Sequence, residues 1–126
     1  MQKQENLLTN PFPVRSYFLR GNLVMFDSDL AELFEVETKD LRSRVRRNMK
    51  RFPSEFMFEP SKDELEYLRR EYAISALPCD LVGSKAQRNA PLVFTEVGVA
   101  MLAGVLRSKK ADQVSVGIIR WLCRKS

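Results

Sequence analysis

The sequence predicts a single compact α+β domain. Three observations carry this. Two apolar runs flank a turn near the N-terminus, as in a β-hairpin. Five segments place apolar residues at helical spacing. Two further apolar runs, too short for helices, lie between them. The chain has 126 residues, 44% of them hydrophobic and 29% charged. That length buries a core without disulfides or metal, and that composition is not one of a disordered chain.

Residues 1–12 are polar and proline-flanked, so they read as a flexible tail ahead of a domain over 13–126. "SYFLRGNLVMF" sets two apolar runs around Arg20-Gly21-Asn22, predicting strands near 15–19 and 23–26. In "DSDLAELF", Asp27, Ser28 or Asp29 can cap a helix whose Leu30, Leu33 and Phe34 share a face. Glu35-Val36-Glu37 connects it to a second helix over 38–52, with Thr38 as the N-cap candidate. There Leu41, Val45, Met49 and Phe52 recur at helical spacing until Pro53 ends the run.

"EFMFEP" reads as a short strand. Ser61 and Glu64 form a capping box opening the helix "KDELEYLRREYAI". Residues 75–90, with Pro78 and Gly83, form the longest loop. "PLVF" is a short strand ending at Thr95, an N-cap with Phe94 and Val99 placed as a hydrophobic staple. Helix 96–107 is apolar nearly all round and is expected at the centre, with Gly98, Ala100, Ala103 and Gly104 allowing close approach. Ser108 opens the last helix, where Val114, Ile118, Trp121 and Leu122 share one side. The predicted order is β-β-α-α-β-α-β-α-α.

The charge is unevenly spread. "TKDLRSRVRRNMKRF", residues 38–52, holds seven Lys or Arg and one Asp, a charge of +6 in a chain of net +5. At 100° per residue, the apolar side chains of this helix form one stripe. Lys39, Ser43, Arg46, Arg47 and Lys50 lie opposite it, and Arg42, Arg44 and Arg51 flank it. An ordinary solvated helix mixes signs, because like charges repel. Only Asp40 and Arg44 are spaced to pair here. A polyanion partner accounts for the rest.

The short helix, three-residue connection and second helix have helix-turn-helix spacing. Ala31 is small enough for a close crossing, and Val36 is apolar as a shared core requires. Glu35 stands where such turns usually have Gly. Set in a DNA major groove, the second helix would offer Lys39, Arg42, Ser43 and Arg46 to base edges or nearby phosphates. Arg47, Lys50 and Arg51 would grip phosphates. Asn48, inside the apolar stripe, reads as a satisfied buried amide. Arg107, Lys109, Lys110, Arg120, Arg124 and Lys125, at the ends of the last helix, read as solvated surface.

Catalysis finds no support. The chain has no His, so no Ser-His, Cys-His or His-ligand arrangement exists. Cys79 and Cys123 lack metal-ligand spacing and read as free thiols, so no cofactor or metal is expected. Asp27 and Asp29 sit where carboxylates cap helices. No run of 18 apolar residues occurs, and the N-terminus lacks a signal-peptide core, so a cytoplasmic protein without a membrane partner is expected.

"RGNLVMFDSDLAELFEVETKDLRSRVRRNMKRFPSEFMF" resembles the start of the phage ORF-6 N-terminal domain family. "FTEVGVAMLAGVLRSKKADQVSV" resembles its second half, in the right order. The resemblance spans roughly residues 14–124. The family is related in type to the KilA and Bro N-terminal domains of large DNA viruses and phages. Lys39, Arg47 and Asn48 match its motif. Phe34-Glu35 departs from the commoner Tyr-Gly or Tyr-Asn, and "GSKAQRNAP" departs from a loop that usually carries Gly and an aromatic. The resemblance implies a DNA-binding module of phage, prophage or bacterial origin, often fused to a C-terminal domain, as in phage antirepressors. The expected partner is double-stranded DNA, in transcription regulation. The alternative is a protein-interaction module on an acidic surface of a repressor. A homodimer through helices 96–124 is open, because both are unusually apolar.

Overall fold

A computed structural model of the chain describes residues 14–72 and 90–125, the side chains of 118, 119 and 121–125 excepted. The expected tail (1–12), most of the expected loop (75–90) and the side chains of Ile118, Trp121 and Leu122 therefore lie outside the described residues.

Four antiparallel strands form one sheet in the order β1-β2-β4-β3. They are β1 (Tyr17–Leu19), β2 (Asn22–Phe26), β3 (Met57–Phe58) and β4 (Val93–Thr95). The helices are α1 (Asp27–Phe34), α2 (Thr38–Arg46), α3 (Lys62–Tyr72), α4 (Glu96–Leu106) and α5 (Lys109–Lys125). This is the α+β order that the sequence predicts, with one 3₁₀ turn added at Met49–Arg51.

The hairpin pairs Leu19 with Asn22, leaving Arg20-Gly21 as a two-residue turn. Both have positive φ, 55° and 77°, as a type I′ turn requires. Arg20 tolerates this because its side chain has work at the turn. It forms a two-pronged ion pair with Glu64, at 2.6 and 2.9 Å, and its guanidinium lies 3.9 Å over the Phe58 ring. Glu64 also accepts from the Ser61 N–H at 2.8 Å, while the Ser61 hydroxyl accepts from the Glu64 N–H at 3.1 Å. The predicted capping box thus joins α3 to the hairpin tip. The Arg20 hydrogen bonds hold the Glu64 carboxyl below its usual range, against the opposing effect of partial burial.

Alternation along the strands splits the core in two. On one face Tyr17, Leu19, Val24, Phe26, Phe58 and Val93 pack with Leu68 of α3. On the other, Met25, Met57 and Phe94 pack with α1, α2 and α4 through residues such as Leu30, Leu41, Val45, Val99 and Leu102. The sheet is the middle of three layers. At its β1 edge the Phe18 N–H donates to the Tyr72 hydroxyl at 2.8 Å.

The α4 N-terminus is the tightest junction. The Thr95 hydroxyl accepts from the Gly98 N–H at 3.3 Å and donates to the Glu55 carbonyl at 2.8 Å. The Thr95 N–H donates to the Phe56 carbonyl at 3.0 Å. A Cβ on Gly98 would overlap that same Phe56 carbonyl. Gly104, by contrast, meets nothing among the described residues, so the close approach expected of it does not occur there. Phe94 and Val99 are fully buried in one cluster, as the staple requires. The Ser108 hydroxyl accepts from the Ala111 N–H at 2.9 Å and opens α5.

Two expected caps are not used. Phe26 and Glu37 hold the extended N-cap positions of α1 and α2, and neither helix has a side-chain cap. Asp27 and Thr38 already lie inside the first turns.

Gly98→Ala should destabilise the domain by about 3 kcal/mol, because backbone rather than a flexible side chain must yield. Urea unfolding of the two proteins measures it. A loss under about 0.5 kcal/mol would mean that the two backbones are not in contact there.

Candidate nucleic-acid interface

Helix α2 is set by how α1 ends. The Val36 N–H donates to the Ala31 carbonyl at 2.9 Å, and the Glu35 N–H to the Glu32 carbonyl at 3.2 Å. Glu35 is left-handed, φ 61° and ψ 44°. This is a Schellman stop, and its left-handed position normally holds Gly. Ala31 and Val36 pack into the core under the turn, as their size and polarity predict.

A buried ion pair fixes α2 from the other side. The Arg42 Nε donates to Asp27 Oδ2 at 2.7 Å; the Arg42 side chain is 16% exposed and that of Asp27 0%. The Leu92 N–H also donates to Asp27 Oδ2, at 3.2 Å, and the Asp27 N–H donates to the Leu92 carbonyl at 2.9 Å. Asp27 Oδ1 is buried without a hydrogen-bond partner among the described residues. One carboxylate therefore ties together the end of β2, the approach to β4 and α2. Nearby, burial lifts the Asp29 carboxyl above its ordinary range, against the pull of Arg15 at 4.0 Å.

The expected continuous helix over 38–52 is corrected: α2 ends at Arg46. The Asn48 side-chain amide donates to the Arg44 carbonyl at 2.7 Å, taking the place of the helical Asn48 N–H. That N–H turns instead to Val45, at 2.9 Å. The Arg51 and Phe52 N–H groups then bond Asn48 and Met49 in a 3₁₀ turn. Phe52 still reaches the core, edge-on to Phe94 with centroids 5.8 Å apart. Met49 does not. Losing helical phase leaves it 51% exposed, where the sequence placed it in the apolar stripe.

The predicted site residues now divide. Lys39, Arg46 and Arg47 are exposed on α2, and Lys50 and Arg51 are exposed on the 3₁₀ turn. None of these five pairs with a carboxylate among the described residues. The half-buried Ser43 hydroxyl accepts from Arg47 Nη2 at 3.2 Å, which orients Arg47 across the helix face. Arg42 is instead committed to Asp27. Arg44 does not pair with Asp40; its Nη1 donates to the Leu106 carbonyl of α4, at 3.4 Å. Sequence reasoning missed the exposed Met49 and the groove of about 230 Å³ beside it, lined by Val45, Arg46, Met49, Met57, Glu59 and Leu92 among others. Among the described residues no cluster of acids and thiols could hold a metal ion, and no helix is long and apolar enough to cross a membrane.

A short cationic helix, held by a three-residue turn against a first helix and backed by a four-stranded sheet, defines an α+β domain of helix-turn-helix-like geometry. A family model for the ORF6N domain matches residues 15–105, and the chain belongs to that family. No curated protein and no solved structure gives a match.

Two measurements test this construction. Arg42→Met should cost about 3–5 kcal/mol in urea unfolding, because it strands a buried carboxylate. Adding Asp27→Asn should recover part of that loss; a strictly additive double variant would mean that the pair is not coupled. Glu35→Gly should raise stability by about 1 kcal/mol, a few degrees in Tm, by relieving the left-handed backbone. An unchanged or lower Tm would mean that Glu35 makes a compensating contact.

Proposed function

We propose that this domain binds double-stranded DNA through α2 and the 3₁₀ turn, without chemistry, as a regulatory module of phage or prophage antirepressor type. The observation that carries the reading is a set of five exposed cations, Lys39, Arg46, Arg47, Lys50 and Arg51, with neither a carboxylate partner nor, unlike the exposed Arg44, a bond to a neighbouring helix among the described residues. Such a face repels itself, and a polyanion relieves that repulsion. Membership of the ORF6N family supports the phage context.

A nine-residue helix is about 13 Å long. A B-DNA major groove is about 12 Å wide, so α2 alone is enough to enter it. In this pose Lys39, Ser43 and Arg46 meet base edges or adjacent phosphates. Arg47, Lys50 and Arg51 meet phosphates, the last two from the turn. Arg42 contributes by fixing the helix from beneath. Glu35 and Glu37 flank the entry and oppose phosphates on that side.

A second reading is favoured by one feature. The exposed Met49 and its groove add apolar surface to the edge of the basic face. That mixture suits an acidic protein surface, such as a repressor's, better than it suits DNA alone.

Fluorescence anisotropy of a mixed-sequence duplex of about 25 base pairs decides between them. The DNA reading expects binding that weakens with salt, with a log–log slope of about −0.9 per phosphate and roughly four to six phosphates neutralised. Arg46→Glu with Arg47→Glu should lower affinity for all duplexes together. No binding at low salt would remove the DNA reading and leave the repressor surface, to be tested by pull-down.

A further inference from the structure

We propose that Arg107 and Lys109, in the turn between α4 and α5, form a second phosphate contact that extends the DNA footprint of α2. The inference rests on the reading of α2 as the DNA-facing helix, and it adds a surface that this reading does not use.

Position comes first. The bond from Arg44 to the Leu106 carbonyl joins α2 to the last residue of α4. Arg107 follows directly, so the turn lies beside the cationic helix. Arg107 and Lys109 are both exposed, and neither pairs with a carboxylate among the described residues. Lys110 is excluded, because it lines a shallow groove with Glu32 and Glu35 and has acidic company there.

Both cations stand where local physics disfavours them. Arg107 ends α4 in the left-handed region, φ 54° and ψ 46°, with its N–H bonded to the Ala103 carbonyl at 3.2 Å. A residue with a Cβ is disfavoured in that conformation, and Gly is the usual occupant. Arg20, another left-handed arginine, is explained by Glu64. No described partner explains Arg107. Lys109 is the first residue of α5, where the helix dipole favours acids over cations. Two unfavourable cations, adjacent to each other and to α2, are retained together. A phosphate backbone offers both the compensating charge, since each contact releases condensed counterions. The Arg fork and the Lys point charge are the two usual ways of holding a phosphate.

Arg107→Gly provides an unusual test, because it removes the cation and relaxes the backbone at once. Wild type, Arg107→Gly and Lys109→Gln are titrated against the same duplex over a salt series, with a thermal melt of each. The expected result is an unchanged or higher Tm for Arg107→Gly, weaker binding for both variants, and a salt slope shallower by about 0.9 for each lost phosphate contact. Unchanged affinity and slope in both variants would overturn this inference and leave the α2 reading intact. Weaker binding with an unchanged slope would overturn it too, since no counterion release would then be lost. Wild type without salt-sensitive binding would remove the α2 reading and this inference together.

Discussion

The buried Asp27–Arg42 pair is the constraint on which the rest of the site depends. Asp27 is the junction residue between β2 and α1. Its backbone and carboxylate both engage Leu92 just before β4, and the same carboxylate oxygen holds Arg42 in the middle of α2. Burying two charges gives up hydration that only good geometry restores, so their attraction is a weak source of net stability. What the pair supplies is position. A rotation of α2 that exposed Arg42 would leave the Asp27 carboxylate alone in the core. The exposed side of the helix is thereby fixed as well.

Much of the fold was legible because short-range chemistry sets it. The Arg20-Gly21 turn, the Ser61–Glu64 box, the Thr95 and Ser108 caps and the Phe94–Val99 staple all involve residues within a few positions of one another. Each formed where the spacing placed it. Three features were not legible, for different reasons. The break after Arg46 comes from one side-chain amide displacing one backbone amide, and counting at 100° per residue assumes that this does not happen. Exposure of Met49 follows from that break. Burial of Asp27 depends on Leu92, 65 residues away, which no local window reaches.

The candidate site shows the same division. Seven cations in one segment looked like one population. The structure separates Arg42, which is held by Asp27, and Arg44, which is exposed but bonds the Leu106 carbonyl, from the other five. A signal for this was present: by angle, both flank the apolar stripe, where a long side chain reaches inward partners as easily as water. Glu35 was visible as an odd occupant of a turn that favours Gly. Its left-handed φ gives that oddity a physical meaning, since α1 is stopped by geometry without the residue best suited to it.

The Tyr72 hydroxyl at the sheet margin has a consequence for how copies of this domain coexist. A terminal strand with idle backbone donors is a template onto which another chain can zip. Here that strand is three residues long, and the N–H of its middle residue, Phe18, is already taken. The opposite margin, β3, has only two residues. Among the described residues, neither border offers a run of idle groups long enough to start strand exchange. Copies of the domain brought side by side can therefore touch without merging their sheets.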